Sequence, residues 1–146
     1  MKPVKAGDMT TAIQTMLRAD TRLNGTDITR SELLNIDPSK CPWVGIYRNN
    51  SQFEVRALGY GAGARRQLTE LVVFCQESDN DSGEEAEDLH ETLVATVLDV
   101  LFSDTTLSGV VSTITLASIQ YQLITDNDDQ LMHTAEIHIV AETTTQ

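Results

Sequence analysis

The last third of the chain has the least freedom in how it folds. Leu131, His133, Ala135, Ile137, Ile139 and Ala141 fall at alternate positions. A period of two puts all six side chains on one face, so this run reads as a half-buried strand. Asp126-Asn127-Asp128-Asp129 before it reads as a hairpin turn, and Val110–Thr125 as the partner strand. The apolar phase of that partner slips. Ile114 and Leu116 share one phase, and Ile119, Tyr121 and Leu123 share the other. One extra residue near Ala117-Ser118, a β-bulge, accounts for the slip. A long hairpin with one apolar face needs a second layer to bury it.

That layer is available just upstream. Ala86, Leu89, Leu93, Val94, Val97 and Leu101 form one apolar stripe at helical spacing, which predicts a helix from Gly83 to Phe102. Ser82 and Glu85 have capping-box spacing, and Glu84, Glu85, Glu87 and Asp88 place anions where the helix dipole favours them. A second helix is expected from Asp8, as N-cap, to about Leu23. It buries Met9, Ala12, Ile13, Met16 and Leu17 and ends at Asn24-Gly25. Between the helices, Trp43–Tyr47 reads as a short strand and Asn49-Asn50-Ser51 as a turn. Phe53–Ala57 is an alternating strand, and Gln67–Gln76 is strand-like from its β-branched and aromatic content. Asp37-Pro38 and Cys41-Pro42 mark turns, and Ala141–Gln146 should fray. The order α, β, β, β, α, β, β with no internal repeat predicts one α+β domain over residues 1–146. Its sheet is mainly antiparallel, with an N-terminal helix and one long acidic-capped helix packed on it.

Charge is divided along the chain. Residues 1–66 hold all ten Lys and Arg and six of the 22 acids, a balance of +4. Residues 67–146 hold the other sixteen acids and no base. Most of such a surface should repel nucleic acid and anionic membrane. Between copies, the two halves suit a head-to-tail contact of the kind that closes rings. No apolar run is long enough to span a bilayer, and the start has no signal-type h-region. The expectation is a protein made and kept in a cytoplasm until it assembles. Cys41 and Cys75 read as reduced, structural thiols.

No catalytic motif emerges. Leu58-Gly59-Tyr60-Gly61-Ala62-Gly63-Ala64-Arg65-Arg66 places three glycines at alternate positions, but a strand pattern follows where a dinucleotide loop needs a helix N-terminus. It reads as a flexible connection whose Tyr60, Arg65 and Arg66 are candidates for gripping a partner protein. His133 and His138 are five apart and so face opposite ways on a regular strand. No other metal-ligand spacing appears. Asp79–Glu84 fails the calcium-loop register, and no nucleophile elbow places a Ser or Cys.

Three segments in the second half carry a resemblance. They are Glu85-Ala86-Glu87-Asp88 at a helix start, Ser103-Asp104-Thr105-Thr106-Leu107-Ser108-Gly109 after it, and His133-Thr134-Ala135-Glu136-Ile137-His138-Ile139-Val140-Ala141-Glu142 at the end. In this order and spacing, over roughly residues 66–142, the chain resembles the tail terminator proteins of long-tailed bacteriophages. The resemblance implies a ring, usually of six subunits, on the head-proximal end of the tail tube. The ring stops tube growth and joins the tail to the neck. It implies no enzymatic activity and no cofactor or metal. Expected partners are copies of itself, the tail tube protein and a neck or head-closure protein, with DNA passing through the lumen. The expected location is the virion. The acids Glu84, Glu85, Glu87 and Asp88 join Tyr60, Arg65 and Arg66 as candidate partner-binding residues. Three alternatives stay open: a head-closure or other neck ring, a small cytoplasmic enzyme or ligand-binding domain, and an acidic mimic of DNA.

Overall fold

The computed structural model describes residues 4–30, 41–55, 65–78, 83–125 and 131–145. Helix α1 spans Ala6–Ala19, followed by a single 3-10 turn, Thr21–Leu23. Strand β1 is Asp27–Thr29, β2 is Trp43–Val55 and β3 is Arg65–Ser78. Helix α2 is Gly83–Ser103, and β4 (Thr113–Thr125) and β5 (Leu131–Thr145) complete the chain. The five strands form one sheet in the order β1-β2-β3-β5-β4. Every pairing is antiparallel except β1 with β2. This is the α+β architecture that the patterning predicts.

One face of the sheet carries both helices. Met9, Ile13 and Leu17 of α1 are fully buried, as is Val97 of α2, and Leu93, Val94, Val100 and Leu101 are buried beside it. They pack on Val44, Ile46, Leu71, Val73, Cys75, Ala135, Ile137, Ile139 and Ala141 from the three inner strands. Helix α1 lies over β1 and β2, and α2 over β3 and β5. Edge strand β4 is thus left largely beyond the helices.

The bulge lies where the phase slip puts it. The β4–β5 register shifts between Leu116 and Ser118, leaving Ala117 as the extra residue. That one insertion turns Ile114, Leu116, Ile119, Tyr121 and Leu123 to the same face.

Several expectations need correction. Asp8 does not cap α1: the helix starts at Ala6 with Lys5 as N-cap, and Asp8 sits exposed in the first turn. The helix also ends earlier, at Ala19. Asp20 accepts the Arg22 amide and opens the 3-10 turn. Gly25 then takes the left-handed φ of 86° that the Asn-Gly signal foretells. Asn49-Asn50-Ser51 is not a turn. It lies inside the continuous strand β2, where the register to β3 shifts between Arg48 and Asn50. A bulge and a turn share the same polar residues, so composition alone cannot separate them. Leu89 is 45% exposed, and His90 takes its expected place in the buried face of α2. The C-terminal run does not fray early: β5 pairs with β3 as far as Thr145 opposite Arg65. Ser82 of the expected capping box lies outside the described residues, and Glu85 stands in the first turn of α2.

The turn after α2 explains its own sequence. The Asp104 carboxylate accepts the Thr106 hydroxyl at 2.6 Å, the Thr106 amide at 3.0 Å and the Ser108 amide at 3.1 Å. These bonds hold its carboxyl below the ordinary 3.8, the Thr106 hydroxyl bond being the largest cause. Leu107 (φ 50°), Ser108 (φ 58°) and Gly109 (φ 86°) turn left-handed in succession, and Leu107 is driven into the core with no exposed surface.

Candidate functional site

Of the candidate partner-binding residues that the structure describes, Arg66 and the four acids of α2 lie on opposite sides of the sheet. Tyr60 lies outside the described residues, as does the Arg65 side chain. The Arg65 backbone pairs with Val55 and Thr145 at the end of the sheet. Arg66 takes the phase of β3 that faces away from the helices. Its Nε lies 2.9 Å from one Glu142 oxygen, and its terminal nitrogen donates to the other at 3.2 Å. Its first partner is therefore within the chain. Glu84, Glu85, Glu87 and Asp88 stand exposed on the opening turns of α2, on the other side of the sheet.

The helix-free face holds a polar lane that the sequence reading does not identify. It is built from residues on three strands, all in the phase opposite to the core. Tyr47 donates its hydroxyl to Glu136 at 3.1 Å, and His138 Nδ1 lies 3.1 Å from Glu70. Asn49 donates to the same Glu70 oxygen at 3.2 Å. The His138 bond, first, and the Asn49 bond hold the Glu70 carboxyl below its ordinary value. Val72 lies under this lane, fully covered. A shallow, open depression beside it is lined by Asn50, Gln52, Leu68, Glu70 and Val140. It lacks the enclosing walls that hold a small molecule. The signal for the lane was present in the last strand: Thr134, Glu136, His138 and Glu142 are the polar phase of the same alternation that marks the core.

The buried thiol and histidines sit on the opposite face. Burial pushes the Cys75 thiol up to about 12, so it behaves as an apolar core group rather than a nucleophile. His90 is buried, with Nε2 3.1 Å from the Cys75 carbonyl oxygen. A carbonyl only accepts, so that nitrogen carries the proton. The His90 ring lies 5.9 Å from His133 and edge-on to Tyr121 at 6.2 Å. Desolvation, and then the neighbouring His133, hold its pKa below the ordinary 6.5 against the Cys75 bond. Among the described residues, no group of three or more His, Cys, Asp or Glu is arranged to hold a metal ion. No described helix is long and apolar enough to cross a membrane.

The chain matches no family model and no curated protein sequence. Among solved structures it is similar to a chain from the virion of a native gene transfer agent particle, with 12% identity and a TM-score of 0.46. That match covers 99% of this chain and 100% of the other. It is also similar to the sheath/tube terminator of an extracellular contractile injection system in its extended state. There the identity is 13% and the TM-score 0.42, over 100% of this chain and 58% of the other.

The two edges of the sheet differ in pairing and in charge. Strand β1 covers β2 only from Trp43 to Gly45, so among the described residues Ile46–Val55 has no strand on its outer side. Among the described residues no strand lies on the outer side of β4, along all its 13 residues. Exposed Lys5, Arg18, Arg22, Arg30 and Arg48 lie on the α1–β1–β2 side. No Lys or Arg occurs anywhere in α2, β4 or β5.

Proposed function

We propose that this protein is a structural subunit of a phage-type tail that assembles as a ring, caps the tail tube and ends its growth. The observation that carries the reading is the unlike charge of the sheet's two edges, bases flanking the β1–β2 side and none lying on β4 or β5. Such a subunit suits a head-to-tail ring, because each copy offers one edge and needs the other. The resemblance in the helix start, the turn and the final strand supplies the place of that ring, at the head-proximal end of the tube. Six subunits is the expected number.

The chemistry agrees with a scaffold role. The polar lane is tied together by hydrogen bonds among its own groups, with His138 Nε2 left without one, and the buried thiol is held protonated. Neither is poised to attack a substrate. Beyond Arg66 the chain has no fixed positive charge, so a lumen walled by this part would let DNA pass without gripping its phosphates.

The test is tube growth. Tail tube protein from the same particle is polymerised with and without this protein, and the ends are viewed by electron microscopy. The reading expects shorter tubes of narrow length distribution, each with an extra ring at one end. Unchanged tubes, with the protein bound instead to the head connector, would place it in the neck as a head-closure ring.

A further inference from the structure

Helix α1 lies over β1 and β2, and α2 lies over β3 and β5. Neither described helix lies over β4, so the helical layer stops one strand short of the sheet. The apolar pattern continues past the point where the layer stops. Leu116, Ile119, Tyr121 and Leu123 stand opposite Ile139, Ile137, Ala135 and His133, and so share the helix-bearing face. Leu131 keeps the same phase at the start of β5. Leu116, Tyr121, Leu123 and Leu131 are 41%, 63%, 55% and 40% exposed. Four large apolar side chains on one face of one hairpin form a strip of the kind that marks a protein interface. From Leu116 to Leu123 the strip runs about 20 Å, the length of a helix of about 13 residues.

The border of the strip carries one sign of charge. His90 of α2 meets Tyr121 edge-on, with ring centroids 6.2 Å apart, which places the opening turns of α2 beside the strip. Glu84, Glu85, Glu87, Asp88 and Glu91 are exposed within two turns of His90. Helix α2 and strands β4 and β5 contain no Lys or Arg. An occupant that fits therefore brings apolar groups to β4 and positive charge to α2. The described helices of a second copy do not meet that need. Helix α1 exposes Lys5 and Arg18 but no large hydrophobic side chain, and α2 exposes Leu89 among acids.

We propose that the β4 strip is a docking site for a basic amphipathic helix of a different protein, which lies beside α2 as a third helix of the layer. Its apolar stripe covers Leu116, Tyr121, Leu123 and Leu131, and its flanking Lys or Arg side chains face the acids of α2. The occupant is a helix because the vacancy is on the face of β4, in the layer where two helices already pack. Burial of the strip supplies most of the affinity, and the charges select the partner and speed its arrival. The site goes beyond the capping role and does not depend on a ring.

The experiment is calorimetry of the full chain with three synthetic peptides of about 14 residues. They are an amphipathic Leu/Lys helix, a scramble of the same composition, and an amphipathic Leu/Glu helix. The Leu/Lys helix is expected to bind at least about tenfold more tightly than either of the others, and less tightly as salt rises. Tyr121→Ser and Leu123→Ser, checked for fold by circular dichroism, should each weaken it at least about tenfold. Phe53→Ser, at an exposed position on β2, should leave it unchanged. Equal binding of the scramble would mean adsorption of a polycation and overturn the proposal, as would equal binding of the Leu/Glu helix. Affinity that survives both β4 substitutions would place the peptide elsewhere and overturn it. So would a peptide that loses its helix on binding and protects β4 amides from hydrogen exchange, which is a strand added to the edge. Wild-type dimers in native mass spectrometry that Tyr121→Ser abolishes would give the strip to a second copy and overturn it too. Tube capping is read in its own assay, so failure here leaves that reading standing.

Discussion

Gln67 and Val4 are joined by two hydrogen bonds that copy a pair of strand bonds. The Gln67 side-chain amide donates to the Val4 carbonyl at 2.8 Å, and the Val4 amide donates back to the Gln67 oxygen at 3.0 Å. Gln67 is buried, and its amide also reaches the Thr69 hydroxyl at 3.2 Å. A single side chain in β3 thus fixes the segment that leads into α1. Gln67→Ala should destabilise the protein by about 2 kcal/mol, because it strands a part-buried backbone amide and carbonyl. Urea unfolding measures the loss. Hydrogen exchange at the Val4 amide should rise more than at core amides.

His90 predicts a loss of stability in mild acid. Its folded pKa lies below the 6.5 of the unfolded chain. Below that value the unfolded chain binds more protons, so stability falls as pH drops from about 7 towards the folded pKa and then levels. Cys75 of β3, His133 of β5 and Tyr121 of β4 surround the ring and offer no anion to balance the new charge. Comparing urea midpoints of the wild type and His90→Leu between pH 7.5 and pH 5 isolates the effect. The slope should be shallower in the variant.

The Asp104 turn has the opposite dependence. Its depressed carboxyl contributes stability above about pH 3.8 that disappears as pH falls through the lower folded value. Asp104→Ala should lower the melting temperature at pH 7 and have little effect near pH 2. Gly109→Ala tests the same turn by backbone strain. Nothing lies within 4 Å of the added methyl, so its cost of about 1 kcal/mol comes from the φ of 86° alone.

Arg66 and Glu142 should be coupled. Both side chains are partly shielded, at 29% and 22% exposure, which lifts the pair above an ordinary surface bridge. A double-mutant cycle with Arg66→Met and Glu142→Gln should give a coupling of about 1 kcal/mol. A near-zero coupling would return Arg66 to the role the sequence suggests, a charge kept for another protein.

The parts of this fold legible in the sequence are those with long, uninterrupted periods. Leu131–Ala141 has one phase over its whole length, and the slip at Ala117 is visible because clean alternation flanks it. The stripe of α2 was legible except at Leu89, where helical spacing allows either Leu89 or His90 to turn inward. The bond from His90 to the Cys75 carbonyl settles that choice, and no local pattern reports it. Strand β1 was missed because three residues are too few to show a period. The continuity of β2 was missed because Asn49 and Asn50 have turn chemistry in a strand context. The polar lane was missed for another reason: Tyr47, Glu70, Glu136 and His138 become neighbours only through the register of three strands.

The position of β5 in the sheet sets a condition on manufacture. Residues 131–145 lie between β3 and β4, and β4 has no other partner in the sheet. A chain cut or stalled before Leu131 therefore keeps both helices and most of its strands, yet lacks the strand that connects the β4 edge to the rest. Such a fragment exposes unpaired backbone along β3 and β4, a surface that should open it to proteolysis.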